Sequence, residues 1–156
     1  MLTASIQPED RLSAADPEVL PADRPLRVLV VDDCADTADS LVALLTLWGH
    51  DVDTSYDGEA AVAAAVARRH EVIFLDLAMP KLCGCEVVRR LRCEPGVKNA
   101  LIVAVTGYPD ASHRRLAIEA GFDLYHVKPV DPESLHAMLV RMEAGKAGSP
   151  EPYFCC

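Results

Sequence analysis

Five polar side chains with the potential for joint chemistry each stand at the end of a short apolar run. Asp32 and Asp33 follow LRVLVV, Asp76 follows EVIFL, Thr106 closes ALIVAVT, and Lys128 follows FDLYHV. Taken singly, Asp32 or Asp33 could cap a helix, Thr106 could be an ordinary strand residue, and Lys128 could be a solvated surface lysine. Two adjacent carboxylates repel each other, however, and a hard cation such as Mg²⁺ removes that repulsion. Their joint placement therefore predicts a charged site with room for a divalent cation.

The elements that would position these residues follow from the hydrophobic pattern. The sequence predicts strands over 26–31, 51–56, 71–76, 100–106 and 122–127. It predicts helices near 38–48, over 58–70, around 86–92, over 110–120 and from Pro132. Their apolar positions include Ala38, Leu41, Val42, Leu45 and Trp48, then Val62 and Val66, then Leu135, Met138, Leu139 and Met142.

Strands that alternate with helices form a parallel sheet with helices on both faces, so the predicted fold class is doubly wound α/β. Ligands of such sheets bind outside the carboxyl ends of the strands. All five polar residues stand at strand ends, and we therefore expect them to meet at one edge of the sheet.

Composition and charge limit the remaining possibilities. Residues 1–24 are interpreted as a flexible N-terminal tail, 25–145 as one domain, and 146–156 as a flexible C-terminal tail. The apolar runs are too short to cross a bilayer and the first residues lack a signal-peptide pattern, so we expect a cytoplasmic protein with no membrane contact. A net charge of −9, from 24 acidic and 15 basic side chains, disfavours direct nucleic-acid binding.

The six cysteines show no zinc-finger spacing. Reduced structural thiols are the favoured interpretation, and a metal site at Cys83, Cys85 and Cys93 is the alternative. The terminal Cys155-Cys156 pair is interpreted as an incidental end of the tail.

The segments VLVVDD, IFLDLAMP, VAVTGY and YHVKP, in this order and at these intervals, resemble the receiver domain of two-component response regulators. The resemblance covers Leu26 to Gly145. It implies a flavodoxin-like (βα)5 fold, a five-stranded parallel sheet with strand order 2-1-3-4-5. It also implies a cis peptide bond before Pro129.

The resemblance assigns a role to each matched residue. Asp76 would accept a phosphoryl group, and Asp32, Asp33, Asp76 and the main-chain carbonyl of Ala78 would hold Mg²⁺ or Mn²⁺. Lys128, the Thr106 hydroxyl and the Gly107 main-chain amide would bind the phosphoryl oxygens. These expectations agree with the need to neutralise charge when a carboxylate attacks a phosphoryl group.

Further residues would control the state of the domain. Thr106 and Tyr125 match the pair that switches on activation, the tyrosine turning inward as the hydroxyl moves toward the phosphoryl group. Tyr108 is a candidate shield of the acyl phosphate from water, with simple packing on its loop as the alternative. Cys83 stands before Gly84 where many receivers have an acidic residue, and the glycine itself is expected to serve the turn.

The resulting functional hypothesis is a single-domain response regulator, of the chemotaxis or hybrid-kinase type. It would take its phosphoryl group from a sensor histidine kinase or a histidine phosphotransfer protein and signal by docking to a partner protein. The docking surface would lie on the fourth helix, fifth strand and fifth helix. A phosphate-relay intermediate or sink, and a receiver that docks without phosphorylation, are the alternatives.

We expect no enzyme activity beyond the domain's own Mg²⁺-dependent phosphorylation and dephosphorylation. The enzyme alternative is a haloacid-dehalogenase-like phosphohydrolase, which also uses an aspartate nucleophile. Such an enzyme needs a second aspartate two residues after the nucleophile. Ala78 occupies that position and cannot transfer protons, which disfavours this alternative.

Overall fold

The computed structural model describes residues 25–143, the side chains of Met142 and Glu143 excepted. The two predicted tails, the end of the predicted domain and the terminal cysteines lie outside this range. Five strands and five helices alternate within it: β1 (Arg27–Val31), α1 (Ala35–Leu47), β2 (Asp51–Ser55), α2 (Gly58–Arg68), β3 (Val72–Leu75), α3 (Gly84–Arg92), β4 (Leu101–Thr106), α4 (Ala111–Ala120), β5 (Leu124–Val127) and α5 (Pro132–Glu143).

The five strands form one parallel sheet in the spatial order β2-β1-β3-β4-β5. This confirms the predicted order 2-1-3-4-5. All residues of β3 and β4 are buried, which explains why both read as unbroken apolar runs in the sequence.

Helices cover both faces of the sheet, and the sheet separates the core into two clusters. On one face, α2, α3 and α4 bury side chains such as Ala65, Val88 and Ala117. On the other, α1 and α5 bury Leu45 and Leu139. The doubly wound architecture is therefore confirmed, and it leaves the carboxyl edge of the sheet for the loops that carry the polar residues.

The apolar face of α2 differs from the one that the valines indicated. The helix buries Gly58, Ala61 and Ala65, whereas Val62 is half-buried and Val66 is exposed. A Cβ built on Gly58 would lie 2.7 Å from Val87 Cγ2, so α2 packs too closely on α3 for large side chains at its interface. The valines therefore lie beside the contact rather than in it.

The ends of the helices show why the chain turns where it does. The Asp57 carboxylate accepts a hydrogen bond from the Ala60 amide at the start of α2, and the Asp110 carboxylate accepts one from the His113 amide at the start of α4. Gly121 ends α4 with φ +126°. Trp48, which follows α1, is buried as predicted. Among the described residues no helix combines the length and the apolar character needed to span a membrane.

Candidate functional site

Three aspartates meet at the carboxyl edge of the sheet. Asp32 and Asp33 follow β1, and Asp76 follows the neighbouring strand β3. One carboxylate oxygen from each residue lies within 4.8 Å of the others. Asp32 and Asp76 are buried, whereas Asp33 is exposed. The predicted cluster is therefore present, with two carboxylates inside the fold and one at its mouth.

The backbone fixes the two buried carboxylates in the same way. The Cys34 amide donates to Asp32 Oδ1 at 2.9 Å, and the Ala78 amide donates to Asp76 Oδ1 at 3.1 Å. Each aspartate thus accepts a hydrogen bond from the amide two residues later, a local Asx turn. The Oδ1 atoms are held by the chain, and the Oδ2 atoms remain for other partners.

Lys128 reaches those Oδ2 atoms from the loop after β5. Its Nζ donates to Asp32 Oδ2 at 2.9 Å and to Asp76 Oδ2 at 3.2 Å. Burial raises the pKa of Asp76, although the Ala78 amide and the Lys128 ammonium oppose that rise. Burial lowers the pKa of Lys128, but its two aspartate partners outweigh this and raise it overall. The lysine is therefore a charged bridge between the candidate nucleophile and the carboxylate beside it.

The donor set fits a hard divalent cation. Three carboxylates face one ammonium group, so the cluster keeps an excess of negative charge after Lys128 is counted. Carboxylate oxygens are the ligands that Mg²⁺ prefers, and Mg²⁺ keeps several waters, which the exposed side at Asp33 can admit. The structure shows the Ala78 amide bound to Asp76, and the role of the Ala78 carbonyl as a ligand stays a prediction.

Thr106 ends β4 beside this cluster and is fully buried. Its Oγ1 accepts a hydrogen bond from the Tyr108 amide at 3.3 Å, and its carbonyl accepts one from the Lys128 amide at 2.8 Å. A Cβ built on Gly107 would meet no atom within 4 Å, so the space beside that residue is open. Binding of phosphoryl oxygens by the Gly107 amide stays a prediction.

Tyr125 lies on β5 and is buried, in an inward position. Its hydroxyl donates to the Tyr108 carbonyl, and the Arg114 guanidinium lies 5.4 Å from the centre of its ring. Burial raises the pKa of Tyr125. Because the Tyr108 amide holds Thr106 while the Tyr108 carbonyl holds Tyr125, one peptide segment connects the two predicted switch residues. Hydrogen bonds of the main chain leave no signal in the sequence, and this connection was not predicted.

The Tyr108 side chain packs on α4. Its ring stacks on the His113 imidazole, with the ring centres 4.2 Å apart and the planes 10° apart, and it remains 41% exposed. The alternative to shielding was packing on its own loop, whereas the ring packs on a residue of α4. The shielding role stays a prediction.

Glycine is needed at position 84 for a different reason from the turn that was expected. Its backbone needs no left-handed conformation, since its φ lies outside the positive range. A Cβ there would lie 2.5 Å from the Asp76 carbonyl oxygen and 2.9 Å from Leu77 Cα. The start of α3 therefore presses directly on the backbone of the candidate phosphoacceptor, and only glycine fits. The Lys128–Pro129 peptide bond is cis, as the resemblance implied.

Comparison with known proteins places this chain among the response regulators. A family model described as the response regulator receiver domain matches residues 28–140. The DNA-binding response regulator MtrA of Mycolicibacterium paratuberculosis is 37% identical over 111 residues, which is 71% of this chain and 48% of that protein. The chain spans about half the length of this relative.

Two solved structures show the same architecture. The chemotaxis protein CheY4 of Vibrio cholerae is 30% identical, with a TM-score of 0.71 over 76% of this chain and 98% of that chain. The receiver domain of a sensor histidine kinase from Pseudomonas aeruginosa is 26% identical, with a TM-score of 0.71 over 78% of this chain and 99% of that chain. The latter holds a magnesium ion coordinated in its active-site cleft.

Proposed function

Because the chain belongs to the response regulator receiver domain family, we propose that Asp76 accepts a phosphoryl group from a phosphohistidine of a sensor kinase or phosphotransfer protein. The observation that carries this proposal is the Lys128 bridge between Asp76 Oδ2 and Asp32 Oδ2, beside the exposed carboxylate of Asp33. An ammonium group bound to the nucleophile's own oxygen is already placed to meet the oxygens of an incoming phosphoryl group.

The transfer exchanges one bond for another. An Asp76 oxygen attacks phosphorus, the bond between phosphorus and the donor's imidazole nitrogen breaks, and an acyl phosphate forms. Asp32, Asp33, Asp76 and the Ala78 carbonyl would hold Mg²⁺, which supplies positive charge to the phosphoryl oxygens. Lys128 leaves its carboxylate partners to pair with the new anion, and Thr106 and the Gly107 amide donate to its remaining oxygens.

The change at Thr106 would pass to the surface through the Tyr108 segment. If the Thr106 hydroxyl turns to the phosphoryl group, its hydrogen bond from the Tyr108 N–H breaks. The Tyr108 main chain can then move, and with it the carbonyl oxygen that accepts the hydrogen bond from Tyr125. The α4-β5-α5 surface then has two packing states, and a protein partner that prefers one of them reads the phosphorylation state. Within these elements α4 exposes Leu116 and α5 exposes Val140, apolar side chains that a partner protein would cover on docking.

Several finer points belong to the same proposal. We place the domain in the cytoplasm, with no enzyme activity other than its own phosphorylation and dephosphorylation, and with no nucleic-acid contact of its own because of the net charge of −9. Its action as a single-domain regulator stays a prediction. Transfer of the phosphoryl group onward in a relay would use the same residues.

Removal of divalent cations tests the proposed chemistry. In Mg²⁺ with a small acyl-phosphate donor, we expect the wild-type chain to gain one phosphoryl group. In EDTA the rate should fall at least about a hundredfold, because a bound metal ion contributes several kcal/mol of charge stabilisation. Intact-mass spectra recorded over time measure both rates. Equal phosphorylation with and without EDTA would contradict the proposed site.

Tyr108 provides a second test, on the lifetime of the product. If its ring limits the access of water to the acyl phosphate, Tyr108→Glu should shorten the half-life severalfold, and Tyr108→Phe should leave it unchanged. The loss of phosphorylated mass after removal of the donor measures both. An unchanged half-life in Tyr108→Glu would restrict the role of the ring to its packing on His113.

A further inference from the structure

A second concave site lies at the amino ends of the strands, at the opposite edge of the sheet from Asp76. It is a shallow cavity of about 320 Å³, open to solvent over most of its extent, and its lining includes Arg27, Arg69, Glu71, Gly96 and Asn99. Cavities that bind small molecules begin at about 300 Å³. The cavity is thus large enough for a small ionised group, and no residue of the phosphorylation site lines it.

Arg69 occupies a backbone position that favours glycine. It ends α2 with φ +54°, in the left-handed region, where an L side chain is disfavoured and glycine or asparagine is usual. Its side chain lies along Gly96, where a built Cβ would come within 3.4 Å of Arg69 Cγ and Nε. An arginine at such a position, laid against a glycine, suggests that the side chain has a role of its own.

The charge of Arg69 is not compensated within residues 25–143, where its guanidinium makes neither a hydrogen bond nor an ion pair. The other lining charges are paired. Arg27 donates from Nε and Nη2 to the carbonyls that end α2, and Glu71 Oε2 lies 3.8 Å from Arg27 Nη1. The nearby carboxylates of Asp51 and Asp53 are bound by Arg68. Among the described residues, Arg69 is therefore the charged residue lining the cavity whose charged group has no partner.

We propose that this cavity binds a small oxyanion, a phosphate or carboxylate group, through the Arg69 guanidinium. The planar guanidinium offers paired N–H donors to such groups, and the Asn99 side chain can supply a further donor. The anion has two possible sources. One is a free small anion, and the other is an acidic side chain of residues 1–24, which join the described fold at Pro25, close in sequence to Arg27. That segment contains Glu9, Asp10, Asp16, Glu18 and Asp23.

The test is a titration of the full-length chain with inorganic phosphate, followed by backbone NMR, after a chelating resin has removed divalent cations so that the magnesium site does not contribute. We expect saturable shifts of the Arg69, Gly96 and Asn99 amides. Arg69→Gln, which keeps the backbone constraint and removes the charge, should weaken binding at least about tenfold. Arg69→Gly should also lose binding while keeping or raising the melting temperature, because it relieves the left-handed arginine.

Two further variants identify the source and the specificity. Arg115→Gln makes the same change of charge on the exposed surface of α4 and should bind phosphate like the wild type. A full-length variant with the five acidic residues of the first segment changed to amides should bind phosphate more tightly than the wild type if their carboxylates occupy the cavity, and equally if a free anion does. Phosphate affinity that Arg69→Gln leaves unchanged in both backgrounds would overturn the proposal.

Discussion

Lys128→Met is expected to slow phosphorylation of Asp76 by about a hundredfold, the usual effect of removing one preorganised charge from a site of this kind. In the wild type, Lys128 Nζ donates to Asp76 Oδ2 and to Asp32 Oδ2, so its charge lies next to the attacking oxygen. Methionine has a similar length and no charge. The rate of phosphoryl gain from a small acyl-phosphate donor, at saturating Mg²⁺, measures the effect.

The same variant should not lose magnesium. Lys128 and a divalent cation compete for the same carboxylate oxygens, so its removal leaves the aspartate cluster more negative and should maintain or increase Mg²⁺ affinity. Isothermal titration calorimetry can follow the binding. Lys98→Met, at an exposed position of the loop after α3, is the matched control. A normal rate in Lys128→Met, or a slow rate explained by lost Mg²⁺, would contradict the role given to the lysine.

Gly84→Ala is expected to lower the free energy of unfolding by about 2–3 kcal/mol, as overpacking of a buried contact does. The new Cβ would lie 2.5 Å from the Asp76 carbonyl oxygen and 2.9 Å from Leu77 Cα. Both neighbours are backbone atoms, so they cannot move aside as the end of a side chain can. The loss should exceed the gain in helix propensity that alanine brings to the first residue of α3.

Gly107→Ala is the matched control for this prediction. A Cβ at Gly107 meets no atom within 4 Å, so its effect on stability should stay within about 0.5 kcal/mol. Urea unfolding of both variants and the wild type, followed by Trp48 fluorescence, gives the comparison. Equal losses in the two variants would show that Gly84 does not press on the Asp76 backbone.

The sequence predicted the positions of the site residues because it predicted the strands. The residues of β3 and β4 before Asp76 and Thr106 are apolar throughout, and so are those of β1 before Asp32 after the exposed Arg27, because these positions are buried. A parallel sheet then brings the carboxyl ends of those strands together without further information. The sheet order and the receiver fold were predicted from the motifs and are confirmed.

Other features depend on contacts that residue types do not encode. Glycine is required at position 84 because a Cβ there would meet the Asp76 carbonyl across the loop between β3 and α3, and the link from Thr106 to Tyr125 runs through main-chain atoms of Tyr108. The buried face of α2 is set by how closely Gly58 approaches Val87, which favours alanines over the valines. Periodicity finds the helix, but only the packing decides which of its small residues face the core.

The most direct test of the central claim is the intact mass of wild type and Asp76→Ala after incubation with Mg²⁺ and a small acyl-phosphate donor. We predict one added phosphoryl group in the wild type and none in Asp76→Ala, with Mg²⁺ present in both samples. Alanine removes the carboxylate that is both the nucleophile and one member of the aspartate cluster, while Asp32, Asp33, Thr106 and Lys128 remain. Phosphoryl gain in Asp76→Ala, or none in the wild type, would contradict the assignment of Asp76 as phosphoacceptor.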